Sequence, residues 1–150
     1  MIKKFDIGEC TFQSDHLSEI VASGLVESEG VWLKGYKPHG TNLDAPLGEI
    51  LFRDDAHTVP AYLLYGKQNF KNKYGLYGSE KNPWLLTLGT LIDGISQLKV
   101  KDFKKYFKFV LNQSSDTDNS DLIQYCIFGD KVFSSNGEIT SFYEVKKKKG

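Results

Sequence analysis

A single α+β domain is the fold class this sequence predicts: an antiparallel or mixed sheet of five to seven strands, with two or three helices packed on one face. Three observations predict it. Apolar residues recur at helical spacing through Trp84, Leu88, Leu91, Ile95 and Leu98, and again through Phe103, Phe107 and Val110. Short apolar runs bounded by Gly, Pro, Asn and Asp lie on both sides of that stretch, as strands and turns do. Aromatic residues make up 13% of the chain, a bias toward sheet-containing folds with bulky core contacts. At 150 residues the chain suits one core, so residues 1–145 are expected to form one domain. Residues 146–150 (Lys-Lys-Lys-Lys-Gly) are expected to be a disordered basic tail.

From the N-terminus, Phe5–Phe12 alternates well enough for a strand. Ser14-Asp15 can cap a helix whose apolar face is Leu17, Ile20, Val21 and Leu25, with Gly24 near its end. Glu27-Ser28-Glu29-Gly30 reads as an acidic turn and Val31–Tyr36 as a strand. Residues 37–46 concentrate Pro, Gly and Asn and predict an exposed loop. Leu47–Phe52 reads as a strand ending in the charged turn Arg53-Asp54-Asp55; Val59–Tyr65 follows as another, with Pro60 placing it at an edge or standing near its start. Lys67–Gly78 shows no helical period and predicts a polar loop.

Asn82-Pro83 then opens the organising helix, with an Asn to cap and a Pro whose missing N–H costs nothing at the first position. A second helix is expected from about Lys101, with Asp102 near its N-terminus, although Tyr106–Leu111 would also make a strand. Gln113–Asp121 predicts an acidic loop. Leu122–Phe128 predicts a central strand, because nearly every residue in it is apolar. Asn136-Gly137 suits a type I′ turn leading into a last strand, Ile139–Val145.

Nineteen basic and nineteen acidic residues cancel, which counts against a general nucleic-acid or membrane binder. The distribution is uneven: residues 1–60 carry 5 Lys/Arg and 10 Asp/Glu, net −5, and residues 61–150 carry 14 and 9, net +5. No run of signal-peptide or membrane-spanning length is present. Cys10 and Cys126 form no metal-binding spacing and are expected as two reduced, buried thiols, which places the chain in the cytoplasm.

Asp54, Asp55 and His57 are the one compact cluster of acids with a histidine, and so the candidate catalytic residues. Such a cluster can pair a base with an orienting carboxylate, but it lacks the third and fourth ligands of a metal site, so no metal or cofactor is assigned. Asp116-x-Asp118-x-Ser120-Asp121 starts like a calcium loop, yet has Asp121 and Ile127 where such a loop needs Gly and Glu. No phosphate-binding loop or nucleophile elbow occurs. Lys99, Lys101, Lys104, Lys105 and Lys108, interleaved with aromatics, fit either a phosphate-reading patch or the solvated face of an amphipathic helix.

Polarised charge, many tyrosines and no catalytic motif suit a non-enzymatic protein-binding module. An inhibitor, such as a bacterial immunity protein that neutralises a partner toxin, is one concrete form. Its expected interface is acidic: Glu27, Glu29, Asp44, Glu49, Asp54 and Asp55, with Tyr74 and Tyr77 as anchors, facing a basic toxin domain. The alternatives are a small metal-dependent or acid/base enzyme at Asp54, Asp55 and His57, and a nucleic-acid-binding module at the lysine-rich segment 99–108.

Overall fold

A computed structural model describes residues 2–40, 44–53 and 58–140. The chain opens with a hairpin of β1 (Lys4–Ile7) and β2 (Cys10–Gln13), then α1 (Ser14–Ser28) and β3 (Leu33–His39). A single 3-10 turn (Glu49–Phe52) precedes β4 (Ala61–Gly66) and β5 (Trp84–Thr87). Three helices follow: α2 (Leu88–Lys101), α3 (Phe103–Val110) and α4 (Asp116–Phe128). The fold is α+β, but the sheet of five to seven strands is not found. Among the described residues, four helices accompany two small antiparallel sheets, one of two strands and one of three in the order β3-β4-β5. Among the described residues, no helix is long and apolar enough to cross a membrane.

Two misread runs account for most of that difference. Leu122–Phe128 is not a central strand but the second half of α4. The helix starts where Ser115 caps it, accepting from the Asp118 N–H at 3.1 Å while the Asp118 carboxylate accepts from the Ser115 N–H at 3.0 Å. The expected loop over Gln113–Asp121 is therefore largely helix. Every residue from Asp118 to Phe128 is buried, because α1, α2 and β5 pack around α4. A helix enclosed on all sides shows a continuous apolar run instead of a stripe, which periodicity cannot tell from a buried strand. Leu47–Phe52 is likewise not a strand: Gly48, at φ 91°, turns the chain into a 3-10 turn.

The organising helix begins later than Asn82-Pro83. Trp84–Thr87 alternates buried, exposed, buried and half-buried, as a strand does, and pairs with β4 from Leu64↔Trp84 to Ala61↔Thr87. The helix cap is Thr87, whose Oγ1 accepts from the Thr90 N–H at 3.1 Å in a reciprocal box. From there Leu91, Ile95 and Leu98 form the buried face as predicted.

Elsewhere the local readings need smaller changes. Phe5–Phe12 is two strands, because Gly8 and Glu9 both take positive φ (62° and 75°) and turn the chain in a two-residue hairpin. Glu27 and Ser28 finish α1, and β3 is displaced forward, leaving Trp32 in the connection and taking in Pro38 and His39. Asn136-Gly137 is not a type I′ turn. Gly137 alone is left-handed, and the Ser134 N–H donates to Glu138 O while the Gly137 N–H donates to Ser134 O, the pattern of a three-residue loop with a bulge. Ile139 bridges Phe133; residues 141–145 of the expected last strand, and the basic tail, lie outside the described residues.

The core is aromatic. Trp32 stacks on Phe133 at 5.9 Å, and Phe128 of α4 meets Trp84 edge-on at 5.0 Å and Phe70 at 5.5 Å. Buried Gln124 is paired on both sides of its amide: it accepts from the Val132 and Phe133 N–H groups, both at 2.8 Å, and donates to Phe133 O at 3.1 Å. The exposed side of β3 carries the bulge at Lys34, together with Lys37 and Pro38, features that discourage a further strand from pairing there.

Candidate functional site

The residues expected to act as catalysts are not placed: Asp54, Asp55 and His57 lie outside the described residues. Of the expected interface, Glu27 and Glu29 are exposed at the end of α1, and Asp44 is exposed in its loop. Glu49 is half-buried and pairs with Arg53 at 3.5 Å. Tyr74 and Tyr77 are exposed on a loop that Asn72 organises, its Oδ1 accepting from the N–H groups of Tyr74 and Leu76 at 3.0 and 2.9 Å. Lys73 lies over the Tyr74 ring and reaches Asp93 at 2.5 Å. His16 is half-buried against Phe12, His39 ends β3 exposed, and Cys10 and Cys126 are both free thiols, only Cys126 being fully buried. Among the described residues, no group of three or more His, Cys, Asp or Glu is arranged to hold a metal ion.

A cleft of about 500 Å³ is lined by Lys3, Ser14, Asp15, Ser18, Glu49 and Arg53 among others. Its polar groups do not converge on a substrate position, because they satisfy their own surroundings. Ser14 Oγ accepts from the Lys3 N–H at 2.9 Å, Ser18 donates to Ser14 O at 2.8 Å, and Asp15 accepts from the His16 N–H at 2.9 Å.

The feature that stands out is on α3. Its sequence, Phe-Lys-Lys-Tyr-Phe-Lys-Phe-Val, has more apolar residues than one buried stripe can hold. The sequence pattern points to Phe103 and Phe107 as the inward face; the structure buries Tyr106 and Phe109 instead. What decides this is the Tyr106 hydroxyl, which donates to the carbonyls of Ile7 (2.8 Å) and Gly8 (3.1 Å) at the hairpin turn. Burial, with the Cys10 side chain beside it, pushes that phenol well above its ordinary range, so it remains a donor.

Turning Tyr106 inward turns Phe103 and Phe107 outward. Phe103 is 57% exposed, Phe107 45%, Leu111 49%, and Val100, in the last turn of α2, 82%. The Phe103 and Phe107 rings stack at 6.1 Å, so the two side chains form one surface. Phe103, Phe107 and Leu111 follow each other at steps of four along α3 and its C-terminal cap, an apolar row on one side, while Val100 lies in α2, before the break at Asp102.

The row is held firmly. Asp102 ends α2 and begins α3, its N–H donating to Leu98 O at 2.8 Å and its carboxylate accepting from the Lys105 N–H at 3.1 Å. Lys105 pairs with Asp121 of α4 at 2.6 Å, where Lys131 also approaches at 3.4 Å. Lys108 reaches Asp118 at 3.7 Å; Lys101 meets Asp130 at 3.5 Å, and Lys99 donates to Gly8 O at 2.7 Å. Beneath them, Tyr125 is pushed up to about 12 by burial and by the carboxylates of Asp130, Asp102 and Asp121. Most of the lysine run is thus tied to acids of the same molecule. Lys104 is the one lysine of α3 without an ion pair to a described residue.

No family model, no curated protein and no solved structure matches the chain.

Proposed function

We propose that the domain is a non-enzymatic protein-binding module of the cytoplasm, and that it docks a partner on the row Phe103, Phe107 and Leu111. The observation that carries this reading is the stacked, outward-facing pair Phe103 and Phe107 on a helix whose opposite side is fixed by Tyr106, Phe109 and the Lys105–Asp121 pair. Scattered exposed apolar residues are ordinary on a protein surface, but a stacked aromatic pair continued by Leu111 along one helix is the kind of patch that marks an interaction site. Aromatic side chains held rigid before binding give contact area at little entropic cost, which is what an interface anchor needs.

An inhibitor of the immunity-protein kind is one form such a module takes, since blocking a partner requires a fixed face and no reactive group. The two free thiols suit a reducing compartment. Neutralised lysines weaken the nucleic-acid alternative, because paired ammonium groups have fewer counterions to release from phosphate.

The test is affinity isolation from the native host with two baits, the wild-type domain and Phe103→Ala/Phe107→Ala. Both changes lie on the surface, so the variant should keep its circular dichroism and melting temperature. A partner retained by the wild type and lost by the variant supports the reading. Identical partner profiles for the two baits would remove it.

A further inference from the structure

Resting on that reading, we infer that the partner presents an amphipathic helix whose apolar ridge is flanked by carboxylates. Lys104 and Lys108 stand four residues apart on α3, each directly after one of the two exposed phenylalanines. On a helix those positions make a second row parallel to the row of Phe103, Phe107 and Leu111. Both lysines are exposed; Lys104 has no ion pair with a described residue, and Lys108 holds Asp118 only at 3.7 Å. A helix laid along the phenylalanines brings its own flanking residues over these two ammonium groups. Acids there would pair with both, and lysines there would repel both.

The competing occupants fit less well. A second copy packed through the same face offers no charge for these lysines, because α3 has no acidic residue. The outer side of α1 does carry acids, Asp15, Glu19 and Glu27, but its one large exposed apolar side chain is Val26, too little to cover the row. The lysines at 146–149 share the sign of the row. An anionic bilayer is favoured by unneutralised basic charge, and Lys101 and Lys105 are already set against Asp130 and Asp121.

The experiment uses two synthetic helical peptides of equal length and identical leucine spacing, one with Glu and one with Lys at the flanking positions. Fluorescence anisotropy at low salt reads affinity for the full chain. The Glu peptide should bind about tenfold more tightly, the ratio expected when two exposed ion pairs replace two like-charge contacts. That preference should shrink as salt is added, and Lys104→Glu/Lys108→Glu should invert it. Phe103→Ala/Phe107→Ala should abolish binding of both peptides.

Equal affinity for the two peptides, still lost in the phenylalanine variant, would overturn the acidic partner while supporting the docking face itself. Binding untouched by the phenylalanine variant, or no binding beside tight association with phosphatidylglycerol vesicles, would overturn both. Concentration-dependent self-association in sedimentation that disappears in Phe103→Ala/Phe107→Ala would identify a second copy as the occupant, and overturn the acidic-helix inference.

Discussion

Gly94→Ala, set against Gly89→Ala in the same helix, tests the packing of α2 on α4. A Cβ on Gly94 would fall 2.5 Å from Cys126 Sγ and 2.8 Å from both Cα and N of Cys126. Carbon atoms rest about 3.5–4.0 Å apart, so the two helices must separate by roughly 0.7 Å or more at that point. A backbone cannot swing aside as the tip of a side chain can. Nor can α4 simply retreat, because on the α1 side a Cβ on Gly24 would already be 2.6 Å from Asn119 O. Overpacking of this kind costs about 1–3 kcal/mol, against a helix-propensity gain of up to about 1 kcal/mol for replacing Gly by Ala. Gly89 receives a similar gain without the clash, since the nearest atom to its Cβ is Thr87 Oγ1 at 3.7 Å. The difference between the variants is therefore about 2 kcal/mol, or roughly 4–8 °C in melting temperature for a chain of this size. Urea unfolding followed by far-ultraviolet circular dichroism measures it from the midpoints at a shared slope. Adding Cys126→Ala to Gly94→Ala should restore only part of the loss, because Sγ is removed and the backbone contacts stay. Equal midpoints for Gly94→Ala and Gly89→Ala would refute the arrangement, and α4 would not be the enclosed element described above.

Two further outcomes follow from single groups. Burial disfavours the Asp118 carboxylate, but the Ser115 N–H and hydroxyl, with Lys108 and Lys105, outweigh it and hold its pKa below the ordinary range. Such a group stabilises the fold above its unfolded pKa of about 4 and loses that contribution as pH falls through the folded value, so Asp118→Asn should flatten the acid limb of the stability curve below pH 4. An acid limb unchanged in the variant would show that this carboxylate does not link folding to pH. Complete burial pushes the Cys126 thiol far above its usual range, so a thiol reagent at pH 8 should label Cys10 in the native protein and Cys126 only after unfolding; native labelling of Cys126 would mean α4 is open to solvent.

How much of this fold could be read from the chain depends on how many sides of each element are buried. The first helix was legible because α1 buries one stripe, and Leu17, Ile20, Val21 and Leu25 all lie on it. The strand around Tyr62 and Leu64 was legible for the analogous reason, but not its place: β4 is the central strand, between β3 and β5, and Pro60 stands just before it and not at a sheet edge. The fourth helix was not, since it is buried on every side, yet its start was written in Ser115-x-x-Asp118, a capping signal that outranks apolar content as evidence of helix. The same is true of Thr87-x-x-Thr90, which marks the true beginning of α2 four residues beyond Pro83. Caps are local chemistry and survive burial; periodicity does not.

The candidate face illustrates a different limit. The alternation of Phe and Lys across residues 103–110 announces an amphipathic helix, and the helix is there. Which aromatic residues point inward is not a local property, because Phe103 and Phe107 are spaced as well for burial as Tyr106 and Phe109. The choice is made ninety-nine residues away in sequence, where the hairpin turn leaves the Ile7 carbonyl for the Tyr106 hydroxyl to satisfy. A buried carbonyl left without a donor costs more than an exposed phenylalanine, so the polar contact selects the rotation of the helix. The apolar row on the outside is then a consequence of that selection and of a helix with more apolar residues than its core can accept. Such an excess is counted directly in a sequence. A short helix with five apolar residues in eight, interrupted by lysines, identifies a face in need of a partner even where it cannot say which face.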